Sequence, residues 1–136
     1  MGNHAIGVIK NEKNQYLQYF DERWNCWLFI NCKLPNGDDN ESIKKEIENK
    51  LKIDKNLIEA RCVGHKRHKK FSESAKKEKE YMHYFYDIHL NTRLNSSDFE
   101  IDGIPYKWYT YEELMKDIRI QKVNGDVIGF MKEFGL

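Results

Sequence analysis

The segment at residues 24–30 restricts the fold more than any other, because its side chains are apolar on both faces of a strand. Alternation places four side chains, from Trp24 to Ile30, on one face and those of Trp27 and Phe29 on the other. A strand of this kind is typical of a sheet that is covered on both sides. The chain is therefore expected to have layers packed against both faces of a sheet.

An amphipathic helix is predicted after a loop at residues 34–39. Ile43, Ile47 and Leu51 are spaced at i, i+4 and i+8, with Lys and Glu between them. This spacing predicts a helix over residues 40–51 with one buried stripe.

The rest of the chain alternates strand and helix patterns without a repeat. Residues 4–10 and 15–20 are predicted to form a hairpin, and the charged residues 65–80 are predicted to form a long connection between two strands. The other predicted elements are strands at 57–63, 81–90 and 106–109, a short helix beginning at Glu112, and a last amphipathic helix that contains Val127, Met131 and Phe134 and ends at Gly135. This order predicts a mixed α+β fold.

Composition excludes several classes of protein. With 136 residues, 40% of them hydrophobic and 13% aromatic, the chain is expected to fold as a single domain over residues 1–136 with a real core. The net charge of +1 names no polyanionic partner. No apolar run reaches the roughly 18 residues that cross a bilayer, so no membrane partner is expected. Three cysteines without CxxC spacing and the lack of a secretory pattern predict a reduced, cytoplasmic protein.

One segment resembles the Nudix superfamily of hydrolases, which cleave nucleoside-diphosphate-linked compounds. The family pattern is a Trp-x-Phe-Pro-Gly-Gly-Lys strand and loop, a Gly-Glu turn, and a helix that carries Arg-Glu-x-x-Glu-Glu-x-Gly. Residues 27–33 (Trp-Leu-Phe-Ile-Asn-Cys-Lys) match at Trp27, Phe29 and Lys33. Residues 37–39 (Gly-Asp-Asp) are similar to the turn, and residues 45–53 lie where the helical motif belongs if one residue is deleted. The resemblance implies an α/β/α sandwich, a Nudix-like mixed β-sheet between helices.

The resemblance implies a metal site whose ligands are mostly absent from this sequence. Phosphoanhydride cleavage uses a divalent cation, and Mg²⁺ prefers carboxylate oxygens. The three carboxylate positions of the family helix correspond here to Glu46, Asn49 and Lys50. A unit charge pair at about 4 Å is worth roughly 4 kcal/mol at an effective dielectric near 20, so an ammonium in place of a carboxylate should cost several powers of ten in metal affinity. Glu46 remains as the implied catalytic residue, and the expected cofactor is none or weakly bound Mg²⁺.

Two interpretations of the nearby acidic residues remain open. Glu46 with Asp38 or Asp39 would form a weak, rearranged metal site. Alternatively, Asp38 and Asp39 cap the helix and complement its dipole.

Basic and aromatic residues suggest a phosphate-binding site in place of the metal. Lys33, Lys45 and Lys50 are predicted near the same loop and helix, where ammonium groups would hold phosphate oxygens directly. Arg67 belongs to the basic segment at residues 65–80, and Tyr84 belongs to a tyrosine-rich strand that would line a base-stacking pocket. The alternatives are that the helical lysines are solvated surface residues and that the tyrosines pack within the sheet.

Further constellations give weaker hypotheses. The basic segment at residues 65–80 would contact nucleic acid or protein, or it is a solvated connection whose acidic residues offset its charge. His65 and His83 would meet across a hairpin, but no further ligands are spaced to complete a zinc site. Cys32 is either a reactive thiol in the loop or a small buried filler.

Three functions follow from these patterns. The first is a Nudix-like domain with a degraded metal site that binds a nucleotide or other small phosphorylated ligand with weak or no hydrolysis. The second is an active Mg²⁺-dependent hydrolase with ligands rearranged around Glu46, Asp38 and Asp39. The third is an interaction module that uses the basic segment.

Overall fold

In the part of the chain that the structure describes, eight strands divide between two four-stranded sheets. A computed structural model describes residues 2–35, 39–72 and 76–136, with residues 70–72 described by their backbone alone. The strands are β1 (Gly2–Ile9), β2 (Tyr16–Asp21), β3 (Cys26–Leu28), β4 (Ile30–Lys33), β5 (Ile58–Ser72), β6 (Lys77–Leu90), β7 (Phe99–Ile101) and β8 (Ile104–Tyr109). The first sheet has the order β4-β1-β6-β5, and the second has the order β3-β2-β8-β7. The first is mixed, because β1 runs parallel to β6 and antiparallel to β4.

Two helices cover opposite faces of the first sheet. The helices are α1 (Asn40–Leu51), α2 (Tyr111–Lys116) and α3 (Ile118–Glu133). Ile6 and Gly7 are neighbours on β1, so they face opposite sides of the sheet. A Cβ added at Gly7 would lie 3.3 Å from Ile43 of α1. Phe85, the register partner of Ile6, instead has its ring centroid 5.4 Å from that of Phe134 at the end of α3. The α+β fold class and the α/β/α layering are therefore confirmed.

Helix α1 forms where its sequence pattern predicts it. Ile43, Ile47 and Leu51 are buried, and they anchor the helix between the layers. Asp39 is the N-cap, and its carboxylate accepts a hydrogen bond from the backbone N–H of Glu41 at 3.0 Å. Lys52 ends the helix in the left-handed conformation, with φ of 56°. Local capping and one apolar stripe thus account for both the bounds and the orientation of α1.

The predicted hairpin of residues 4–10 and 15–20 is wrong, although both strands exist. β1 pairs with β4 and β6, whereas β2 pairs with β3 and β8. Only an isolated bridge between Lys10 and Tyr16 joins the two segments. Both edges of β1 are occupied by other strands, so the turn delivers the chain into the second sheet instead.

The doubly apolar segment is also divided between the sheets. Residues 26–28 form β3 of the second sheet, and residues 30–33 form β4 of the first. Trp24 lies before β3 and is 55% exposed, so it does not belong to the predicted strand. Phe29 and Ile30 are buried at the switch between sheets. The apolar pattern therefore reports burial correctly but not the continuity of one strand.

The described residues of the predicted connection at 65–80 are mostly strand and not loop. β5 extends to Ser72 and β6 begins at Lys77, and the two pair as an antiparallel ribbon from Ile58 and Leu90 to Ser72 and Lys77. Charged side chains hide the strand pattern, because a ribbon whose edge faces solvent does not need apolar residues.

The C-terminal helices follow their predicted signals. Thr110 and Glu113 form a capping box at the start of α2. α3 begins at Ile118 and has a non-helical residue at Asn124, and Gly135 follows it with φ of 77°. Within the described residues, no helix has the length and apolar character needed to cross a membrane.

Gly64 provides a test of the α3 contact. It lies at an irregularity of β5, and a Cβ added there would come within 2.2 Å of the Phe134 ring. We expect Gly64→Ala to lower the free energy of unfolding by about 1–3 kcal/mol through overpacking, measured by urea denaturation. Gly129→Ala is the control, since nothing lies within 4 Å of an added Cβ in this helix. The control should raise stability by up to about 1 kcal/mol, and equal effects of the two variants would contradict the packing argument.

Candidate functional site

The candidate site lies where α1 covers one face of the first sheet. Cys32, Ala5, Tyr84 and His65 pair across the four strands in one row, so their side chains point to a common face. Gly7, two residues from Ala5, contacts α1 on this same face. We call this surface the α1 face. Helix α1, Cys32 and Tyr84 therefore lie on the same face of the first sheet.

The Lys50 ammonium lies beside the Glu46 carboxylate on α1. The Nζ atom of Lys50 lies 3.7 Å from the Glu46 carboxylate and 4.2 Å from the centroid of the Tyr19 ring. The Lys50 side chain is only 17% exposed. Its backbone carbonyl accepts a hydrogen bond from the hydroxyl of Tyr106 at 3.2 Å. Lys50 is therefore not a solvated helix residue, because an ion pair and a cation–π contact hold it against the second sheet.

The Glu46 carboxylate affects the titration of a neighbouring tyrosine. Burial, followed by the charge of Glu46, raises the pKa of Tyr106 to about 12. The Glu46 side chain itself is half-buried, with an exposure of 32%. The next two positions of the family pattern do not fit a magnesium site, because Asn49 is an exposed amide and Lys50 is a cation.

Asp39 uses both carboxylate oxygens in capping α1. One accepts from the backbone of Glu41 at 3.0 Å, and the other accepts from the Ser42 hydroxyl at 2.8 Å. These bonds, that to Ser42 first, lower the pKa of the Asp39 carboxyl. Its backbone N–H donates to the Tyr86 hydroxyl at 3.0 Å, which joins the helix start to β6. Asp38 lies outside the described residues. In the described part of the chain, no three or more His, Cys, Asp or Glu side chains are arranged to hold a metal ion.

The charges of Glu46 and Asp39 both act on the Cys32 thiol. Burial, the charge of Glu46 and that of Asp39 raise the pKa of its thiol to about 11. A thiol in this environment stays protonated at neutral pH, so the arrangement favours a half-buried filler over a reactive nucleophile.

The Cys32 environment gives a measurable pH dependence. In a Cys26→Ala/Cys62→Ala background, we expect Cys32 to react with iodoacetamide at pH 7.5 about a hundredfold more slowly than an ordinary cysteine. Glu46→Gln should lower its pKa and speed the reaction, whereas Glu48→Gln should leave it unchanged. Glu48 is the control because its carboxylate instead accepts from the backbone of Lys55. A rate typical of an unperturbed thiol would contradict this geometry.

The structure separates the three predicted lysines. Lys33 neighbours Cys32 on β4, so its side chain points to the sheet face opposite the α1 face. There it pairs with His4, and burial followed by the charge of Lys33 lowers the pKa of that imidazole. Lys45 is exposed on α1. The prediction that Lys33, Lys45 and Lys50 lie together is therefore wrong, because strand alternation and the helical turn direct them to three different environments.

Arg67 and Tyr84 do share the α1 face. Tyr84 is half-buried, and its ring centroid lies 5.5 Å from that of His65. Arg67 is two register pairs further along, opposite Met82, and its guanidinium lies 3.6 Å from the Glu80 carboxylate. A ring and a cation on one surface are the elements that a nucleotide requires.

The histidines meet on the other face of the sheet. Nε2 of His68 lies 2.7 Å from Nδ1 of His83, and Nδ1 of His68 lies 3.3 Å from the Asp126 carboxylate of α3. The predicted partner of His83 was His65, which instead lies on the α1 face. The register shifts after Cys62, and His65 therefore lies opposite Tyr84 and not opposite His83.

Sequence reasoning missed the aromatic partners of α1. Tyr19 and Tyr106 come from the second sheet, and Tyr86 is far from Asp39 along the chain. Nothing in their spacing connects them with α1. Only the packing of α1 between the two sheets brings them to the site.

Comparison with known proteins identifies the fold. No protein-family profile matches the chain, and no curated protein matches its sequence. Among solved structures, it is similar to an Ap4A hydrolase from C. elegans, with a TM-score of 0.62, 16% identity, and coverage of 99% of this chain and 96% of that one. It is also similar to the DR0079 protein from Deinococcus radiodurans, with a TM-score of 0.60, 14% identity, and coverage of 97% and 82%.

A third similar structure is named for the family itself. This NUDIX hydrolase from Nitrosomonas europaea has a TM-score of 0.54, 11% identity, and coverage of 94% of this chain and 88% of that one. The chain therefore has the fold of the Nudix hydrolases, as the resemblance in its sequence implied. At these identities the likeness concerns the fold.

Proposed function

We propose that this Nudix-fold domain binds a nucleotide or another small phosphorylated ligand on the α1 face and hydrolyses it weakly or not at all. The observation that supports this most directly is the Lys50 ammonium, 3.7 Å from the Glu46 carboxylate. Glu46 already has a cationic partner in the protein, so a divalent cation would have to displace a half-buried, ion-paired lysine. The Asp39 carboxylate, at the start of the same helix, is engaged in the helix cap.

The ligand class follows from what the α1 face presents. Tyr84 and His65 offer adjoining rings for a base, and Arg67 offers a guanidinium for phosphate oxygens. Lys45 is exposed on the neighbouring helix. The names of two similar structures, an Ap4A hydrolase and an ADP compounds hydrolase, refer to phosphorylated nucleotides. A reducing, cytoplasmic setting stays a prediction that accompanies this function.

ADP titration tests the proposal. By isothermal calorimetry, we expect ADP to bind with similar affinity in EDTA and in Mg²⁺, and chromatography should show little or no ADP turnover. Arg67→Gln should weaken binding severalfold, because it removes a charged phosphate partner. Arg61→Gln is the matched control, since Arg61 also pairs across to β6, with Asp87 at 3.3 Å, but on the opposite sheet face.

Three results would contradict parts of the proposal. Millimolar ADP without binding would refute the ligand site, and equal losses in the two arginine variants would refute its position. Rapid Mg²⁺-dependent turnover that is lost in Glu46→Gln would instead support the active hydrolase with rearranged ligands.

A further inference from the structure

A cavity opens at the ends of β1 and β6, away from the α1 face. These strands run parallel, with Ile9 opposite Ile88, so their carboxyl ends meet at one edge of the first sheet. The cavity has a volume of about 500 Å³, and its lining includes these two residues and Trp108 of the second sheet. This volume is within the range of small-molecule sites, and the carboxyl ends of parallel strands commonly border such sites. None of the lining residues belongs to α1 or β4.

Hydrogen bonds hold the first wall of the cavity, the turn after β1. The Asn11 side chain accepts from the backbone N–H groups of Lys13 and Gln15, at 3.0 and 2.9 Å. Its amide donates to the Gln15 side chain at 2.8 Å. The turn is therefore organised before any ligand arrives.

The second wall is the chain that follows β6, and it is held equally well. The indole N–H of Trp108 donates to the carbonyl of Asn95 at 2.8 Å, and the Asn95 side chain accepts from the backbone of Ser97 at 3.0 Å. The backbone N–H of Asn91 donates to the carbonyl of Leu57 at 2.7 Å. A preformed cavity avoids part of the ordering cost of binding.

The cavity has a local excess of positive charge. Lys10, Lys13 and Arg93 line it and are exposed, and none of them forms an ion pair with a described residue. Glu12 is the one carboxylate among the described lining residues. Three cations against one anion leave a formal charge of +2, whereas the whole chain has only +1. Thr92 and Ser96 add hydroxyl groups that can donate to an anion.

We propose that this cavity is a second site, which binds a small dianion of the phosphate-ester class through its phosphate oxygens. A guanidinium and two ammonium groups match the charge of such a group, and the guanidinium can form paired hydrogen bonds with it. The site is independent of the function proposed for the α1 face, because the two share no residue.

Titration with glycerol 3-phosphate, a dianionic phosphate monoester, followed by ¹⁵N–¹H NMR in EDTA, tests this site. We expect the largest shifts in the amides of residues 11–15 and 92–96. Lys13→Ala/Arg93→Ala should weaken binding about tenfold or more, because two of the three cations are lost. Lys116→Ala/Lys122→Ala is the matched control, since it removes two exposed cations of α2 and α3 that do not line the cavity.

Each possible outcome bears on the proposal. Localised shifts with a selective loss of affinity in the first variant would support it. Equal losses in both variants would mean general attraction of anions to the surface and would overturn it. Shifts confined to the α1 face would also overturn it, while agreeing with the proposed function.

Discussion

The double variant Asn49→Glu/Lys50→Glu is expected to bind Mg²⁺ and Mn²⁺ at least a hundredfold more tightly than the natural chain. It places three carboxylates on α1 at i, i+3 and i+4, with Glu46 as the first. It also removes the ammonium that lies 3.7 Å from Glu46. One unit charge pair at about 4 Å contributes roughly 4 kcal/mol at an effective dielectric near 20, and a hundredfold in affinity needs only about 2.7 kcal/mol. Calorimetric titration of the two metals measures the change.

The control for this prediction separates a metal site from bulk charge. Lys45→Glu/Asn56→Asp changes the net charge by the same three units at exposed positions near α1. It should not gain comparable affinity, because its new carboxylates do not converge with Glu46. If the first variant stays folded by circular dichroism and still binds no metal, the helix does not present these positions as the Nudix resemblance requires.

Replacing Ile47 with alanine is expected to lower the free energy of unfolding by about 2–5 kcal/mol. Ile47 is 0% exposed and lies in the middle of the buried stripe of α1. Its removal leaves a cavity between the helix and the sheet that neighbouring side chains cannot fill completely. Urea denaturation with constant m-values would measure the loss.

Lys45→Ala is the control on the same helix. Its side chain is exposed, so the change in stability should stay within about 0.5 kcal/mol. A small effect at Ile47 would mean that α1 is not held by its stripe. The contrast matters for function, because it would show that the buried stripe contributes more than an exposed position of the same helix to keeping α1 in place.

Much of the site's scaffold could be predicted from local patterns. Three features depend on residues within a few positions of one another, so the local sequence predicts them: the stripe of α1, the Asp39 cap and the Thr110 capping box. The assignment of Asn49 and Lys50 to the family's carboxylate positions is equally local, and it stays a prediction. The prediction of an altered metal site and the prediction of the helix therefore rest on the same short segment.

The pairing of strands that are distant in the sequence could not be predicted from local patterns. The two apolar strands at the start of the chain looked like a hairpin, yet they enter different sheets, because β4 and β6 occupy both edges of β1. The ribbon of β5 and β6 could not be predicted, because its charged residues lack the apolar alternation of a strand and are tolerated there only because solvent covers them. An apolar pattern indicates that a strand is buried, but it does not indicate with which other strand it pairs.

What the order of amino acids settled here is the short-range chemistry: a capped helix, its apolar stripe, and an amide and an ammonium that follow Glu46 on α1. The packing of the sheets and helices determined the direction in which those side chains point. Strand alternation sent Lys33 away from the site, and the second sheet supplied the Tyr19 ring that holds the Lys50 ammonium beside Glu46. The physical reason is that a side chain's neighbours depend on long-range packing, which its own stretch of chain does not encode.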